Sequence, residues 1–561
     1  MKADLILLHP PSIFDFRERP ILWGPINDLV PSTPVFEMYP LGFVSIASTL
    51  EQHGYRVRIV NIALKMLRDP RFRPEEYLAR MRAEAFGIDL HWLPHVHGAL
   101  NLARLCKQLH PEVPVVMGGL SATYFHTELL SKVPQVDYVL RGDSTELPFV
   151  KLMEVIEGRG RADEVPNLSY RSGSRLRSNP LSHVPETIDC FNLDYEYIFR
   201  SFLRSKNLDM LPFLDFIEHP IMAVLTRKGC ECNCTACGGS SYAYARVCNR
   251  HSVARRSPEK VVEDILAVQE FQVPAFILGD LAIGDEKYGR RILELLRKEK
   301  VDIPLIFEAF VPFSSGFMKE ISRSVDDFTI EMSPDSGVES VRRQIGRNYS
   351  NAALRDMLDM AFACGCRQFD LYFSIGLSGQ SEDSVHATLR LAEKLMQEYR
   401  GRRLLPFISP YAPFLDPGSI AYEHPERCGV VKLADSMMDH YRILDSGLTW
   451  KEFLSYRTAH LSRGDIVRLS YEAALKLAEL KAEAGIISSD SLEEIRHRIE
   501  VSEEMMRVVE AHRRGKCTEE YVRASLVELR ERLMIDRREL DWSRGLKLRR
   551  LMALLRKLIA V

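Results

Sequence analysis

The first 155 residues alternate between short apolar runs and segments with the spacing of an amphipathic helix. The apolar runs predict strands at 5–9, 55–62, 85–90, 113–117 and 137–140, with helices between them at 41–54 and 98–109. Such an alternation predicts an α/β domain with a doubly wound, Rossmann-like parallel sheet. Ligands in such sheets bind beyond the carboxyl ends of the strands. The segments that follow the strands are therefore candidates for a binding site: 9–12, 89–97, 118–123 and 141–146.

The same alternation returns in the middle of the chain. Between 156 and 218 the pattern weakens, and its polar stretch predicts a linker with a short hairpin. Strands are then predicted at 221–226, 275–278, 305–307, 328–332 and 369–375, and helices at 258–270, 287–300, 351–364 and 383–398. This spacing predicts a full or partial β/α barrel of the TIM type over 219–427, with its chemistry at the carboxyl ends of the strands.

The remaining segment, 428–561, is charged and helical in pattern and has no strand signals, which predicts a C-terminal helical domain. Its last residues, LKLRRLMALLRKLIAV at 546–561, place five cations among apolar residues. Such a helix could make a peripheral contact with an anionic membrane. The alternative is a terminal helix packed on its own protein.

Composition narrows the class of protein. The chain has 561 residues, 46% of them hydrophobic and 27% charged, as in ordinary globular enzymes with several domains. Its formal net charge of −2 gives no overall positive potential that would attract a polyanion, so we expect no nucleic acid partner. The start of the sequence lacks the pattern of a secretory signal, and no run of about 18 apolar residues predicts a transmembrane segment. We therefore expect a cytoplasmic protein.

Cysteine placement gives the strongest chemical signal. Of eleven cysteines, four lie between 230 and 237 in the motif TRKGCECNCTACGGS. Cys230, Cys234 and Cys237 have the spacing C-x3-C-x2-C, which lets three thiolates bind three irons of a [4Fe-4S] cluster and leaves the fourth iron open. A zinc site that adds Cys232 as the fourth sulfur is one alternative. Inert thiols are the other.

The motif resembles the signature of the radical S-adenosylmethionine (SAM) superfamily, in which SAM binds the open iron and is cleaved reductively to a 5′-deoxyadenosyl radical. The sequence departs from that pattern at Ala236, where relatives commonly carry an aromatic residue. The resemblance implies cofactor contacts after the successive strands. These are Gly238, Gly279, Asp280, Glu308, Glu331, Ser333, Ile375 and Gly376. Glu331 and Ser333 are expected to close the fourth strand.

The first domain is similar to the cobalamin-binding domain that precedes the barrel in one class of this superfamily. The similarity is carried by HPPS at 9–12, PLGFVSIASTLEQHGYRVRIVN from Pro40, VVMGGLSATY from Val115 and VDYVLRGDSTELP from Val136. It implies that the nucleotide tail of a cobalamin lies beside the glycine pair. The contacts implied are Gly118, Gly119, Leu120 and Ser121. The glycine pair alone could equally mark a nucleotide-phosphate site, or the sheet could serve protein contacts only.

The lower axial ligand of the cobalt stays open at this stage. The D-x-H-x-x-G motif that supplies a histidine in methionine synthase is absent, because His9 is followed by two prolines. His91, His95 and His97 could form a metal site, line the corrin cleft or be ordinary solvated histidines.

Together these resemblances imply a cobalamin-dependent radical SAM enzyme that methylates an unactivated carbon. Its cofactors would be a [4Fe-4S] cluster, SAM and cobalamin, and a reduced ferredoxin or flavodoxin would donate electrons. One alternative is a relative that performs ring closure or rearrangement without methyl transfer. The other, from a different class, is an iron-sulfur or cobalamin-binding sensor or carrier. A peptide, a lipid and a small metabolite all remain possible substrates.

Overall fold

The computed structural model describes residues 3–19, 21, 39–205, 208–213, 216–411, 414–518, 520–522 and 524–525. The membrane-contact prediction for 546–561 lies outside these residues.

The first sheet contains five parallel strands and an antiparallel hairpin. Its strands are β1 (Leu5–His9), β2 (Val57–Asn61), β3 (Ala85–Asp89), β4 (Val115–Gly118), β5 (Tyr138–Leu140), β6 (Leu168–Ser172) and β7 (Arg175–Ser178). Their order is β2-β1-β3-β4-β5-β6-β7. The helices around this sheet are α1 (Gly42–Gln52), α2 (Ile62–Arg68), α3 (Pro74–Ala79), α4 (Val96–Leu109), α5 (Leu120–Tyr124), α6 (His126–Lys132), α7 (Glu146–Ile156) and α8 (Tyr197–Ser205). The predicted doubly wound domain is confirmed, and its topological switch point lies between β1 and β3.

The predicted linker at 156–218 is only partly a linker. The hairpin β6–β7 forms as expected, but β6 pairs with β5 and so extends the first sheet. Helix α8 also packs on this domain, because the buried Tyr197 hydroxyl accepts a hydrogen bond from Ile59 N at 2.9 Å. Periodicity over a short hairpin does not reveal which strand it pairs with, so the sequence pattern missed this addition.

The second sheet is a partial barrel of six parallel strands. They are β8 (Met222–Leu225), β11 (Ala275–Leu278), β12 (Leu305–Ala309), β13 (Phe328–Asp335), β14 (Gln368–Ile375) and β15 (Leu404–Pro410), and two short strands, β9 (Arg227–Lys228) and β10 (Ala254–Arg255), form a separate ribbon. The order is β15-β14-β13-β12-β11-β8. The helices are α9 (Ser241–Cys248), α10 (Pro258–Gln269), α11 (Glu286–Glu299), α12 (Ser315–Ser324), α13 (Glu339–Gln344), α14 (Asn351–Ala363) and α15 (Glu382–Glu398).

Two predictions about these strands are wrong in detail. Glu331 and Ser333 do not close the fourth strand, because β13 continues to Asp335 with a register shift between Met332 and Asp335. The sixth strand, β15, was not predicted at all, because Pro406 interrupts its pattern. Proline is tolerated there because β15 is an edge strand that pairs with β14 alone.

The C-terminal region is helical, as predicted, but it also contains two short strands. Its elements are α16 (Ile420–Glu423), β16 (Val430–Lys432), α17 (Met437–Ser446), α18 (Trp450–Phe453), β17 (Tyr456–Thr458), α19 (Arg463–Glu483) and α20 (Ser489–Arg513). The expectation of no strands beyond 427 is wrong, since β16 and β17 pair antiparallel. Among the helices that the structure describes, none is long and apolar enough to cross a membrane.

Helix α17 joins the C-terminal region to the first domain. It packs on α4, where His97 stacks on Tyr441 with ring centroids 4.9 Å apart. The His97 Nε2 atom donates to Asp445 at 3.1 Å, while Nδ1 accepts the amide N–H of Phe14 at 3.1 Å. Both ring nitrogens are therefore engaged in a way that only the neutral imidazole satisfies.

Protonation of His97 should weaken this contact. Burial lowers the pKa of His97 to about 4, so folding favours the neutral ring, whereas the unfolded chain titrates near 6.5. The associated stability is complete above pH 6.5 and is lost as the pH falls towards 4, by at most roughly 3 kcal/mol. Urea unfolding at pH 7.5 and pH 5 should show this loss. In His97→Gln, which keeps a donor and an acceptor, the difference should shrink, and an unchanged difference would contradict the assignment.

Candidate functional site

The cysteine motif forms a loop at the carboxyl end of β8, directly after the β9 strand. Backbone amides point at two of its sulfurs: Cys232 N donates to Cys230 Sγ and Gly239 N donates to Cys237 Sγ, each at 3.3 Å. A turn also forms, with Cys237 N bonded to Cys234 O at 3.3 Å. Amide donors stabilise negative charge on sulfur, so they favour the thiolate of Cys230 and oppose the effect of burial on Cys237.

Other segments hold this cysteine loop in place. Gly238 N donates to the buried carboxylate of Asp416 at 2.8 Å, and a Cβ on Gly238 would lie 2.8 Å from the Asp416 Cβ. From a different segment, Gly346 (φ +96°) approaches so closely that a Cβ would lie 3.1 Å from the Cys234 Cα. The loop is therefore clamped between two backbone segments that leave no room for larger side chains.

The fourth cysteine, Cys232, lies between two of the predicted ligands. The neighbouring Cys230 and Cys234 thiols raise the pKa of Cys232. The effect of Cys232, together with the nearby charge of Arg347, lowers the pKa of Cys234 to about 7, whereas burial raises the pKa of Cys237 to about 12. Among the described residues, no three His, Cys, Asp or Glu side chains are grouped so as to hold a single metal ion. That finding does not distinguish a zinc site from a cluster, because the three predicted cluster ligands are among these side chains.

A cavity of about 100 Å³, partly open to solvent, adjoins this loop. Its lining is contributed by the cysteine loop and by residues after β13, β14 and β15, namely Cys234, Ala236, Cys237, Asp335, Ile345, Arg347, Gly376, Leu377, Ser378, Tyr411, Leu415 and Val430. Chemistry at the carboxyl ends of barrel strands is the arrangement that the sequence pattern predicts.

Asp335 and Arg347 give this cavity one charge of each sign. Arg347 Nε donates to Asp335 Oδ2 at 3.3 Å and Arg347 Nη1 to Phe310 O at 3.0 Å, while Ser374 Oγ donates to Asp335 Oδ1 at 3.2 Å. Burial raises the pKa of Asp335, against the opposing effect of Arg347. The sequence analysis missed both residues. The loop SPDSG with a basic residue twelve positions later was the available signal, but charged loop residues are too common to single it out.

Position 236 is an alanine in this chain, where relatives commonly carry an aromatic residue, but the aromatic side chain of Tyr411 lies at the same cavity. Ala236 lines the cavity with a small side chain, and the buried Tyr411 ring lines the same cavity near Cys237. An aromatic surface is therefore supplied from the β15 loop and not from the cysteine loop.

The residues that were predicted to contact a cofactor after the second and third strands make hydrogen bonds within the protein. Gly279 N donates to Glu308 Oε2 at 2.8 Å, and a Cβ on Gly279 (φ +96°) would lie 2.8 Å from the Thr226 hydroxyl. The carboxylate of Asp280, which is 0% exposed, accepts the amides of Ala282 at 2.8 Å and Phe310 at 2.8 Å. Asp280 therefore organises two loops, and its contact with a cofactor stays a prediction.

Glu308 and Glu331 belong to a row of carboxylates inside the barrel. Strand register places Glu308 beside Glu331 and Glu331 beside Asp370. Burial raises the pKa of Glu308 and of Glu331, and the neighbouring carboxylates raise that of Glu331 further. Within the described residues, the Glu331 carboxylate accepts no hydrogen bond, and it is half-buried, like Ser333 two positions further on. These two predicted contacts therefore face the barrel interior.

The predicted pair at the end of the fifth strand lies at the cavity wall. Ile375 is fully buried, whereas Gly376 (φ +95°) lines the cavity and donates its amide to Gln380 Oε1 at 2.7 Å. A Cβ on Gly376 would lie 2.8 Å from the Tyr456 hydroxyl. Gly376 is therefore required by packing as well as being placed at the cavity.

The glycine pair of the first domain lies at the end of β4. A Cβ on Gly119 (φ +106°) would lie 2.6 Å from the backbone of His91, and the buried Ser121 hydroxyl donates to His91 O at 2.9 Å. Gly118, in contrast, has only Leu140 O near its Cβ position among the residues that the structure describes, at 3.6 Å. Leu120 begins α5. Close packing thus explains the glycine at position 119, and a hydrogen bond within the domain explains Ser121. Gly118, in contrast, leaves space at the carboxyl ends of the strands.

The histidines of the first domain differ in environment. His9 is fully buried and its Nδ1 lies 3.0 Å from Asp89 Oδ1, across the switch point of the sheet. His95 is also fully buried, and its ring lies 5.0 Å from that of His9. His97 binds the C-terminal region. His91 is half-buried, and burial lowers its pKa.

Each of the two domains matches a known family model. Residues 29–148 match the family model described as B12 binding domain, and residues 224–392 match the Radical SAM superfamily. With the fold and the cysteine loop, these matches define the class: the chain is a radical SAM protein with an N-terminal cobalamin-binding domain. The cofactors of that class are cobalamin, a [4Fe-4S] cluster and SAM.

Two proteins of named function are similar in sequence to part of this chain. Hopanoid C-3 methylase from Methylococcus capsulatus is 28% identical over 271 residues, which cover 48% of this chain and 48% of that protein. An anaerobic magnesium-protoporphyrin IX monomethyl ester cyclase from Rubrivivax gelatinosus is 24% identical over 37% of this chain and 35% of that protein. The chain thus spans about half the length, or less, of these two relatives.

A solved structure has the same fold over most of the chain. The radical SAM methyltransferase TsrM from Kitasatospora setae, solved with tryptophan substrate and a SAM analogue, superposes with a TM-score of 0.58 at 14% identity. The superposition covers 87% of this chain and 90% of that protein.

Replacing the cysteines one at a time should separate the ligands from Cys232. After anaerobic reconstitution, Cys230→Ser, Cys234→Ser and Cys237→Ser should each lose most of the iron and the absorbance near 400 nm. Cys232→Ser should keep about four irons per chain, because three thiolates suffice for the cluster. Iron and sulfide assays measure this. Equal loss in all four variants, with zinc bound by the wild type, would support a four-thiolate zinc site.

Proposed function

We propose that the protein is a cobalamin-dependent radical SAM enzyme that methylates an unactivated carbon of its substrate. The observation that carries this proposal is the position of the cavity beside Cys234 and Cys237, at the carboxyl ends of the barrel strands. Methyl transfer is supported by the first relative, which is named a methylase, and by the superposed structure, which is that of a radical SAM methyltransferase.

Cys230, Cys234 and Cys237 would hold the cluster. Their loop fits it, because backbone amides already point at two of the sulfurs and glycines leave the space around them. When bound, the cluster supplies the electron that cleaves SAM, and cobalamin carries the methyl group. The protein's own part is to orient the ligands and to exclude water from the cavity.

Asp335 and Arg347 would hold the methionine part of SAM. Their opposite charges match an ammonium and a carboxylate on one ligand, and both line the cavity next to Cys234. The adenine would lie against Gly376 and Tyr411. Gly238, Glu308, Glu331, Ser333 and Ile375 remain proposed contacts or supports of the same site, as does Gly279.

Arg347→Met should weaken SAM binding more than it weakens the fold. Loss of a charge-assisted hydrogen bond costs about 1.5–3 kcal/mol, which corresponds to a dissociation constant raised about 10- to 100-fold. Equilibrium dialysis with the reconstituted protein measures this, and Arg347→Lys should recover part of the affinity. Arg297→Met, on a surface ion pair with Glu320, is the matched control and should bind normally. Normal binding by Arg347→Met would contradict the assignment.

The first domain would bind cobalamin over the carboxyl ends of β1, β3 and β4. Gly118 leaves space there for the nucleotide tail, and Leu120 and Ser121 begin the helix next to it. Gly119 supports the site by its close approach to His91.

Partners are an electron donor and a substrate. A reduced ferredoxin or flavodoxin would deliver the electron, in the cytoplasm, where thiols stay reduced. The substrate remains one of three classes: a peptide, a lipid or a small metabolite. The name of the hopanoid methylase favours a lipid.

Product analysis tests the function. The protein, reconstituted anaerobically with cluster and cobalamin and supplied with reductant and SAM, should form both 5′-deoxyadenosine and S-adenosylhomocysteine. S-adenosylhomocysteine arises only when SAM gives up its methyl group. 5′-Deoxyadenosine alone would overturn methyl transfer and favour a cyclase-like reaction, as performed by the second relative. Neither product would point to a sensor or carrier.

A further inference from the structure

Lys228 connects the cysteine loop to the first domain. It lies two residues before Cys230, and its Nζ donates to Asp143 O at 2.6 Å, to Ser144 Oγ at 3.3 Å and to Glu146 Oε1 at 3.5 Å. All three acceptors belong to the segment 141–146, which follows β5 at the carboxyl edge of the first sheet. Only 10% of the Lys228 side chain and 8% of the Glu146 side chain are exposed.

A second ion pair crosses the same interface. The Arg250 guanidinium pairs with the Asp143 carboxylate, with Nη2 to Oδ1 at 3.1 Å, and 2% and 5% of these side chains are exposed. Arg250 Nη1 also donates to Pro185 O at 2.9 Å. The charged groups are therefore buried and hydrogen-bonded on several sides.

The Arg250 side chain also touches the start of the cysteine loop. Gly229 (φ +88°) immediately precedes Cys230, and a Cβ at Gly229 would lie 3.1 Å from the Arg250 Cδ. One arginine thus contacts both the loop before the first cysteine and the strand-end segment of the first domain. We call Asp143, Lys228 and Arg250 the domain clamp.

Stability alone does not explain the domain clamp. A buried ion pair is often no more stabilising than apolar side chains of the same volume, because both charges lose their hydration. Its directional hydrogen bonds do, however, admit one relative position of the groups that carry them. A neighbouring contact between the domains, the hydrogen bond from Tyr124 to Glu423 at 2.5 Å, is joined by the half-exposed Arg246.

We propose that Asp143, Lys228 and Arg250 are positioning residues that fix the distance and orientation between the cobalamin edge of the first sheet and the cluster loop. This inference rests on the proposed function, since it requires both cofactors to be bound by one chain. The domain clamp acts through Gly229 and the 141–146 segment and need not touch substrate.

The magnetic coupling between the two cofactors tests this proposal directly. In the full chain, carrying reduced cluster and cob(II)alamin, the cluster speeds relaxation of the cob(II)alamin signal by an amount that depends steeply on their separation. The microwave power at half-saturation should fall at least twofold in Arg250→Met and in Asp143→Asn. Iron content and cobalamin stoichiometry should stay as in the wild type, and Arg250→Lys should restore part of the coupling.

Controls make the outcome decisive. Arg297→Met removes the same group from an exposed pair far along α11 and should leave the half-saturation power unchanged. If Arg250→Met fails to fold, Lys228→Gln, which keeps the Asp143–Arg250 pair, is read in the same way. Unchanged half-saturation power in the clamp variants, with both cofactors bound, would overturn the inference alone. A wild type that takes up no cobalamin gives no cob(II) signal and overturns the proposed function as well.

Discussion

Parallel pairing of strands is the constraint from which the rest of the site follows. Because every strand of a parallel sheet ends at the same edge, all the loops that follow the strands are collected on one side. The protein contains two such sheets, and the loop after β5 of the first meets the cysteine loop after β8 of the second. Residues of the two domains that are separated by more than a hundred positions, such as Asp143 and Arg250, are thereby brought into contact.

Close backbone approach is the second recurring feature. Gly119, Gly229 and Gly376 all have positive φ, and in each case a Cβ would come within 3.1 Å of another atom. In these places the backbone is used as a packing surface, which brings neighbouring loops nearer than side chains would allow. A glycine in a motif is thus not by itself evidence of a ligand contact, and Gly119 illustrates this, since its neighbour is the His91 backbone.

The sequence predicts some parts of this structure better than others. Strands β1, β3 and β5 were located within a residue or two, because buried parallel strands are uninterrupted apolar runs between turn signals. Strand β15 and the end of β13 were missed, since Pro406 and Pro334 break the apolar pattern and only the edge position or the register shift makes them acceptable.

Site residues divide in the same way. The cysteines stand out because their spacing is rare, whereas Asp335 and Arg347 depend on a loop conformation that periodicity does not describe. Asp280 shows a different limit of the sequence. A carboxylate directly after a strand was predicted to contact a cofactor, and the pattern gave no sign that it also binds the amides of neighbouring loops. The long-range contact of Lys228 with 141–146 has no local signal at all.

The packing of α19 over β15 has a consequence for the protein during its synthesis. Strand β15 is the outer edge of the barrel, and α19 packs over it, with Lys481 Nζ 4.2 Å from the Phe407 ring centroid. During synthesis, β15 leaves the ribosome some sixty residues before α19 does. In that interval its edge and the apolar side chains of Leu405 and Phe407 are open to other chains. We therefore expect nascent or truncated chains that end before α19 to associate through this strand.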